Sequence, residues 1–288
     1  MISASSQTAL TAAAARAAHL IVDHPPWIFA DTLALELLGD QGPELVAYHR
    51  AHGTHVVLSG ARGQVTCRSR YAEDSLAAAV GRGISQYLVL GAGLDSFAYR
   101  SDLANRVRVF EVDHPGSQEF KRQRLSAAGI TAPENVEFVP FDFESESLVG
   151  VLTRRGFDAG RPAFISWLGV TMYLTEPTIG QTLAEVGGLA PGTEIVADYM
   201  LTADLRDEDG SAYAEQVAPV AAERGEPWRS FLSPAQMSEL LVSGGLTPLR
   251  HVRQRDVGDS MTWTRSDSLH PVALSVIAHA VVPEPALG

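Results

Sequence analysis

Residues 88–96 read Leu88-Val89-Leu90-Gly91-Ala92-Gly93-Leu94-Asp95-Ser96, a short apolar run followed at once by a glycine turn. The run is typical of a buried strand, and glycine lets the chain turn sharply and lets a ligand approach the backbone closely. A Gly-x-Gly turn is weak evidence by itself, because it is equally compatible with a tight turn that binds nothing. The segments that follow it therefore have to be considered with it.

The next strand candidate ends in an acidic residue. Residues 107–113 alternate in polarity and end at Asp113, about 20 residues after the glycine turn, which is the spacing of a nucleotide-binding βαβ unit. A carboxylate at that place can accept hydrogen bonds from both ribose hydroxyls of a nucleotide. Glu111 lies two residues earlier, on the same face of the strand. The alternative, a solvated carboxylate at a strand end, is less favoured because Asp113 lies at the expected distance in sequence from the glycine turn.

A third strand candidate, residues 136–142, also ends in a carboxylate. Asp142 can accept a hydrogen bond from the exocyclic amine of an adenine, and Phe143 can flank its ring. Asp142 could equally be the N-cap of a following helix. Three successive strands that end in Gly-Ala-Gly, Asp and Asp place these groups at one carboxyl edge, which is where open α/β sheets bind ligands.

The remainder of the chain past residue 81 alternates between short apolar strands and helices. Further strands are predicted at 164–168, 194–199, 246–252 and 275–282, and helices at 116–128, 148–155, 176–189 and 233–243. This alternation predicts an α/β fold with a parallel sheet that is covered on both faces.

The first 80 residues have a different pattern, with predicted helices at 8–22, 31–38, 43–60 and 71–81 and no clear strand. We interpret residues 1–80 as a helical cap or lid. Residues 81–288 would then be the ligand-binding core, and the two parts would form one compact unit.

Charge and cysteine content exclude several classes of protein. The 22 Lys and Arg residues against 34 Asp and Glu residues give a net charge of −12, which argues against a nucleic-acid or anionic-membrane surface. One cysteine, Cys67, allows no internal disulfide, so a cytoplasmic location is expected. The sequence has neither a signal-peptide pattern nor about 18 consecutive apolar residues, so no membrane span is predicted.

Other catalytic patterns are missing from the sequence. His49, His52 and His55 recur every third residue, which spreads them around a helix and predicts no metal site. Neither a P-loop nor a Gly-x-Ser-x-Gly nucleophile motif is present. A nicotinamide-dependent oxidoreductase stays open as an alternative, although Ser96 stands where a dinucleotide fold has its third glycine.

Segments between residues 8 and 250 carry a family pattern. They are Thr8-Ala9-Leu10 with Arg16-Ala17, residues 31–38, Arg68-Ser69-Arg70-Tyr71, residues 90–96 with Tyr99-Arg100, Glu111-Val112-Asp113-His114-Pro115 with Lys121, Met172-Tyr173-Leu174, and Gly225-Glu226-Pro227 through Phe231. Together they resemble the leucine carboxyl methyltransferase family of class I S-adenosylmethionine-dependent methyltransferases. The likeness is to its bacterial branch, which includes polyketide O-methyltransferases.

The resemblance implies a Rossmann-like seven-stranded sheet with one antiparallel strand, and S-adenosyl-L-methionine as cofactor. It also implies the residues that bind the cofactor. Arg68 would pair with the methionine carboxylate, with Arg70 as the fallback. Gly91, Ala92 and Gly93 would line the methionine and ribose, Asp113 would hold the ribose hydroxyls, and Asp142 and Phe143 would contact the adenine.

This sequence departs from the family pattern at Leu168, where the family often has an acidic residue. The cofactor's ammonium group is then left to backbone carbonyls such as those of Gly91 or Trp167. The departure favours a small-molecule acceptor over a protein-phosphatase substrate. It also keeps open a non-catalytic family member that only binds cofactor or a partner.

We therefore expect an O-methyltransferase that acts on a carboxylate or hydroxyl of a small molecule in secondary, polyketide-type metabolism. Tyr173, Tyr199 and Trp228 are hypothesised to line the acceptor pocket, with ordinary core packing as an equal alternative. His24 and His114 are candidate bases, although a partly exposed histidine without a role is the more common case. The oligomeric state stays open.

Overall fold

The computed structural model describes residues 4–143, 147–259 and 261–285, which form a mixed sheet flanked by helices. The strands are β1 Gln86–Leu90, β2 Arg108–Asp113, β3 Val136–Pro140, β4 Phe164–Trp167, β5 Glu194–Met200, β6 Thr247–Val252 and β7 Ser275–Val281. The helices are α1 Ala4–Val22, α2 Ala34–Leu38, α3 Gly42–His52, α4 Val56–Gly81, α5 Phe97–Arg100, α6 Pro115–Ala127, α7 Leu148–Arg154, α8 Glu176–Gly187, α9 Glu208–Glu223 and α10 Pro234–Ser243.

The sheet has the strand order β3-β2-β1-β4-β5-β7-β6. Strands β1 to β5 pair in parallel, whereas β7 runs antiparallel to both β5 and β6. The predicted Rossmann-like sheet of seven strands, one of them antiparallel, is confirmed. The chain runs outward from β1 to β3 and then returns to place β4 on the other side of β1. This reversal between β1 and β4 is the position at which such sheets bind ligands.

The central strand explains why the sheet is covered on both faces. All five residues of β1 are buried. Leu88 and Leu90 pack in one apolar cluster with residues of α7, α8 and α10, while Tyr87 and Val89 pack in a second cluster with residues of α4 and α5. Because successive side chains of a strand point to opposite faces, a continuous apolar run is what a central parallel strand requires.

The N-terminal helices α1 and α2 begin at Ala4 and Ala34 where residues 8 and 31 were predicted, and a larger difference follows them. The predicted helix 43–60 and the predicted start of another at residue 71 are wrong, because α3 ends at His52 and the single helix α4 covers Val56–Gly81. His55 has extended backbone geometry and its Nδ1 accepts a hydrogen bond from the Val57 N–H at 3.3 Å, so it caps the new helix. An N-cap histidine is unusual, which is why the sequence pattern did not predict this break.

Buried ion pairs fix α1 to the rest of the molecule. Arg62 of α4 makes two hydrogen bonds to Asp23, at 2.8 and 3.0 Å, and the His19 ring lies 2.9 Å from the same carboxylate. Arg16 donates to Asp31 at 2.7 Å and to the Leu94 carbonyl at 2.7 Å. The hydrogen bond from Arg16 to the Leu94 carbonyl ties α1 directly to the chain that follows the glycine turn.

Two helices, the short α5 and the longer α9, were not predicted from the sequence, and α9 has a clear N-cap. Asp207 caps it by accepting a hydrogen bond from the Gly210 N–H at 2.8 Å, and Pro219 lies inside it. The division at residue 80 stays a prediction, and α4 crosses from one predicted part into the other at Gly81. Within the described residues, no helix has both the length and the hydropathy needed to cross a bilayer.

Candidate functional site

A cavity of about 330 Å³ lies at the carboxyl ends of β1 to β4, beneath the first turns of α1. It brings together the predicted groups Arg68, Gly91, Ala92, Gly93, Asp113, Asp142 and Phe143, together with Tyr173. These residues come from five separate segments, so their convergence follows from the strand order and not from nearness in the sequence. The volume is in the range of small-ligand sites.

The glycine turn forms the floor of this cavity. Gly91 has φ +70° and Gly93 has φ +46°, both in the left-handed region that L side chains avoid. A Cβ on Gly91 would also overlap Cγ2 of Val170, which lines the same cavity. Glycine at this position therefore serves both the backbone turn and the close approach of the segment after β4.

Asp113 is fixed by backbone donors at the end of β2. Its Oδ2 accepts a hydrogen bond from the Gly93 N–H at 2.6 Å, and its Oδ1 accepts one from the His114 N–H at 2.7 Å. Each carboxylate oxygen keeps a second lone pair for a ligand hydroxyl. Burial raises the pKa of Asp113, against the lowering effect of these two hydrogen bonds and of Lys121.

A buried ion pair lies below Asp113. Glu111 and Lys121 are both fully buried, with Nζ to Oε2 at 2.8 Å, and the Tyr99 hydroxyl donates to the same Oε2 at 3.1 Å. Glu111 Oε1 has no hydrogen-bond partner within the described part of the chain. Burial raises the pKa of Glu111, and the Lys121 ammonium opposes this.

Aromatic residues build the end of the cavity near β3. The Phe143 ring stacks on Trp167 at 5.8 Å between centroids and 15° between planes, and it meets Phe141 edge-on at 5.0 Å. Phe143 lines the cavity beside Asp142, whereas Trp167 is fully buried and lies outside the set of described lining residues. Trp167 thus supports Phe143 from the core side.

Arg68 enters the cavity from α4. Its Nη1 donates to Asp198 Oδ2 at 3.0 Å, and Asp198 Oδ1 accepts from the Gly169 N–H at 2.6 Å. Asp198 is fully buried on β5 and was not predicted as a site residue. Its only sequence signal is an acidic residue within the largely apolar run that follows Glu194 in β5. The fallback residue Arg70 lies in a different groove, where it pairs with Asp74.

The three predicted acceptor residues do not all reach the cavity: Tyr173 and Trp228 pack against one apolar cluster, whereas Tyr199 belongs to another. Tyr173 lines the cavity, and burial raises the pKa of its hydroxyl. Tyr199 is buried in the core, with its hydroxyl 2.9 Å from His251 Nδ1. Trp228 stacks on Tyr213 at 6.5 Å between centroids. Neither Tyr199 nor Trp228 is among the described residues that line the cavity.

The two candidate bases also differ in position. His114 lines the cavity, but its Nδ1 accepts a hydrogen bond from the Gly116 N–H at 3.2 Å and caps α6. In the neutral ring Nε2 then carries the proton, which leaves it a donor and not a base. His24 lies elsewhere, where its backbone N–H bonds to Asp267 and its ring faces Ser266.

Two of the lining residues that had no role in the sequence prediction, Thr8 and Glu226, contact each other. Glu226, in the loop after α9, accepts a hydrogen bond from the Thr8 hydroxyl of α1. Both belong to segments that carry the family resemblance, so the sequence signalled their positions but not their contact. Leu168, whose side chain is apolar, also lines the cavity.

The family model that describes the leucine carboxyl methyltransferases matches residues 9–187, which is more than half of the chain. This chain belongs to the leucine carboxyl methyltransferase family. The matched residues include the glycine turn, Asp113 and Arg68, and they end before the loop that carries Glu226.

Relatives in the family carry names that refer to S-adenosyl-L-methionine-dependent methyl transfer. YktD of Bacillus subtilis is 31% identical over 299 residues, which cover 96% of this chain and 98% of the relative. A protein of Mycolicibacterium vanbaalenii is 31% identical over 226 residues, covering 75% of this chain and 69% of its own. The chain is accordingly a methyltransferase, and S-adenosyl-L-methionine is its cofactor.

Solved structures with the same fold include a DUF574 family protein from Streptomyces avermitilis, with a TM-score of 0.60, 18% identity, and coverage of 93% of this chain and 97% of that one. A structure described as a methyltransferase from Thermobifida fusca has a TM-score of 0.61, 19% identity, and coverage of 86% and 92%. Human N-acetylserotonin methyltransferase, solved with its cofactor, has a TM-score of 0.51, 13% identity, and coverage of 83% and 58%.

Proposed function

We propose that this chain transfers a methyl group from S-adenosyl-L-methionine to an oxygen atom of a small molecule, in secondary metabolism of the polyketide type. The main support is the convergence of the left-handed glycine turn, Asp113, Phe143 and Arg68 around one cavity of small-ligand size. A cytoplasmic location is part of the proposal and rests on the single, buried Cys67.

The residues present fit the parts of the cofactor. Asp113 lines the cavity, and the lone pairs that its two backbone hydrogen bonds leave unused suit the two ribose hydroxyls, while the glycine turn admits a ligand close to its backbone. Phe143 offers a ring face, held by Trp167, for the adenine, with Asp142 beside it for the exocyclic amine. We assign these residues to the nucleoside half of the cofactor.

The guanidinium of Arg68 suits the methionine carboxylate at the other end. Arginine has five N–H donors, and one of them is used by Asp198, so a pair of donors remains for a ligand carboxylate. With Leu168 in the cavity wall, the ammonium group would bind to backbone carbonyls. Of the two predicted candidates, Gly91 lines the cavity and Trp167 is not among the described lining residues.

The sulfonium supplies an activated methyl group, so the protein contributes mainly by binding and alignment. Holding an acceptor oxygen in line with the carbon–sulfur bond can lower the barrier by up to about 7–11 kcal/mol. Tyr173 is the predicted acceptor residue that the cavity retains, whereas Tyr199 and Trp228 would act only through packing.

Titration calorimetry with S-adenosyl-L-methionine, S-adenosylhomocysteine and NADH tests the cofactor half of the proposal. We expect the first two to bind and NADH not to bind. Asp113→Asn should weaken binding by about 10-fold or more, because a charged hydrogen-bond acceptor is lost. Asp102→Asn, at an exposed carboxylate outside the cavity, is the matched control. Cofactor binding without methyl transfer to any oxygen acceptor would favour the non-catalytic alternative.

A further inference from the structure

The segment that closes the cavity on the side of α1 contains a carboxylate with no assigned role. Glu226 is only partly exposed, lines the cavity, and accepts a hydrogen bond from Thr8. Its charge raises the pKa of the Tyr173 hydroxyl, and the charge of Asp113 in turn raises the pKa of Glu226. Three segments that are distant in sequence therefore meet at Glu226: α1, the turn Thr171–Tyr173 after β4, and the loop after α9.

The charges around the cavity bear on what can bind beside the cofactor. Four carboxylates line it, those of Asp95, Asp113, Asp142 and Glu226. Two guanidinium groups also line it, but Arg16 is paired with Asp31, and Arg68 is paired with Asp198. If Arg68 binds the cofactor carboxylate, no unpaired guanidinium or ammonium among the described lining residues is left for a second anion.

The other titratable residues near the cavity do not add a positive charge that could bind a second anion. His114 has its Nδ1 engaged in capping α6, and burial raises the pKa of the Tyr173 hydroxyl further above its ordinary value, so Tyr173 adds no charge near neutral pH. Lys121, below the floor, is paired with Glu111. An ionised carboxylate acceptor would therefore face like charge at Glu226, which works against its attraction to the sulfonium, whereas a hydroxyl could donate its proton to the Glu226 carboxylate.

From this arrangement we propose that the acceptor is a neutral hydroxyl, phenolic or alcoholic, and that Glu226 is the catalytic base that receives its proton. The inference rests on the proposed function, since it needs a bound methyl donor. As the acceptor oxygen forms its bond to the methyl carbon, the carbon–sulfur bond breaks and its electron pair stays on sulfur as the thioether. The hydroxyl proton moves to a Glu226 carboxylate oxygen and is later released to water.

The electrostatic surroundings of Glu226 suit this role. Burial and the nearby Asp113 raise the pKa of Glu226, and the hydrogen bond from Thr8 opposes that rise. A carboxylate with a raised pKa is a better proton acceptor near neutral pH than an ordinary surface glutamate. Thr8 thereby becomes a positioning residue that acts through Glu226.

The test uses the full chain and paired acceptors of matched shape: phenol with benzoate, naphthol with naphthoate, and hydroxycoumarin with carboxycoumarin. Transfer of a radiolabelled methyl group from S-adenosyl-L-methionine is measured for the wild type, Glu226→Gln, and the exposed control Glu223→Gln. We expect methylation of hydroxyl members in preference to their carboxylate partners. We expect a loss of about 100-fold or more in kcat for Glu226→Gln, and wild-type rates for Glu223→Gln.

The pH profile separates a base from a residue that only fills space. At saturating cofactor and acceptor, the wild-type kcat should fall on the acid side as Glu226 becomes protonated, and Glu226→Gln should remove that limb. Thr8→Val should move the limb to higher pH, because it removes a hydrogen bond that favours the ionised carboxylate.

Calorimetry with S-adenosylhomocysteine distinguishes the possible failures. Unchanged affinity in Glu226→Gln supports an acceptor-side role, and a loss of more than about 10-fold would make Glu226 a cofactor ligand and overturn the inference. Preferred methylation of the carboxylate members, or no methylation of any hydroxyl member, would also overturn it. If the wild type binds no S-adenosyl-L-methionine at all, the proposed function itself fails.

Discussion

The guanidinium of Arg68 and the carboxylate of Asp198 form an ion pair of 3.0 Å that joins α4 to β5 at the wall of the cavity. Asp198 uses its other oxygen to accept the Gly169 N–H, so one buried carboxylate orients both the arginine and the chain that follows β4. The Arg68 guanidinium also lies where a Cβ on Gly169 would be, since Nη2 is 2.5 Å from that position. The ion pair thus sets the direction from which a ligand carboxylate meets Arg68.

We predict that Asp198→Asn lowers both stability and cofactor affinity. Removal of one partner leaves a largely buried guanidinium without its counter-charge, which typically costs about 3–5 kcal/mol. The free energy of unfolding, from urea denaturation, measures the first effect, and calorimetry with S-adenosylhomocysteine measures the second. Stability within about 0.5 kcal/mol of the wild type would show that the ion pair is not needed, since that is the size of an ordinary surface effect.

A second prediction distinguishes the two arginines of the segment Arg68-Ser69-Arg70. Arg68→Lys should weaken cofactor binding about 10-fold or more, because lysine cannot replace the paired donors of a guanidinium. Arg70→Lys is the matched control and should bind the cofactor as the wild type does, since Arg70 pairs with Asp74 in another groove. Calorimetry on both variants checks this, and equal losses would contradict it.

The third prediction concerns the pH dependence of cofactor binding through Asp113. Because burial raises the pKa of this carboxyl, it takes up a proton at a higher pH than an ordinary aspartate does as the solution is acidified. The protonated form is the poorer acceptor for ribose hydroxyls, so affinity should rise with pH through that pKa and then level off. Asp113→Asn should bind more weakly and lose this pH dependence.

Asp113 affects the stability of the fold with the opposite pH dependence to its effect on cofactor affinity, and this difference provides a control. A carboxyl whose pKa is raised in the folded state binds more protons folded than unfolded, so in that pH window its contribution to stability falls as the pH rises. A decline in cofactor affinity on acidification therefore cannot be attributed to unfolding caused by Asp113. Thermal denaturation of the cofactor-free protein over the same pH range checks this.

The sequence predicted the sheet well because each central strand is a short apolar run bounded by polar or glycine residues. Gly91 and Gly93 directly follow β1, and Asp113 is the last residue of β2, so strand prediction and site prediction depended on the same signals. Parallel strands end at one edge, and that rule alone brought Asp142 and Phe143 to the site.

Contacts between distant segments had no comparable signal. Asp198 pairs with Arg68 across 130 residues, and Thr8 meets Glu226 across 218 residues. For Tyr199 a sequence signal existed but was misleading. Its position near a strand end predicted an acceptor residue, but alternation along β5 directs its side chain into the core. Alternation shows which residues of a strand share a face, but it does not show which face lies in the core and which lies toward the site.

The fourth prediction separates the two reasons for glycine at position 91. Gly91→Ala should reduce stability and cofactor binding, because φ is +70° and the new methyl group would overlap Val170. Gly91→Ala with Val170→Ala removes the overlap but keeps the left-handed backbone, which costs about 1–2 kcal/mol for a non-glycine residue. We expect partial recovery in urea denaturation. Full recovery of the free energy of unfolding would mean that the backbone strain is negligible. No recovery would mean that the overlap with Val170 is negligible.

The fifth prediction concerns Lys121, which is the single lysine among the 22 basic residues of the chain. Lys121→Met leaves Glu111 buried without its counter-charge and should destabilise the fold by about 3–5 kcal/mol. In Lys121→Met with Glu111→Leu both charges are gone, so most of that loss should be recovered, because a buried ion pair contributes little beyond an apolar pair of similar volume. Urea denaturation of the three proteins measures the coupling.

The same variants show whether the pair also acts on the site. The Lys121 ammonium lowers the pKa of Asp113, so its removal should move the acid limb of cofactor binding to higher pH in both variants. The double variant is the informative one, since its stability should be near that of the wild type while its binding profile is still displaced. A displaced profile in a stable protein would assign Lys121 an electrostatic effect on Asp113. An unchanged pH profile of cofactor binding would show that Lys121 only neutralises Glu111.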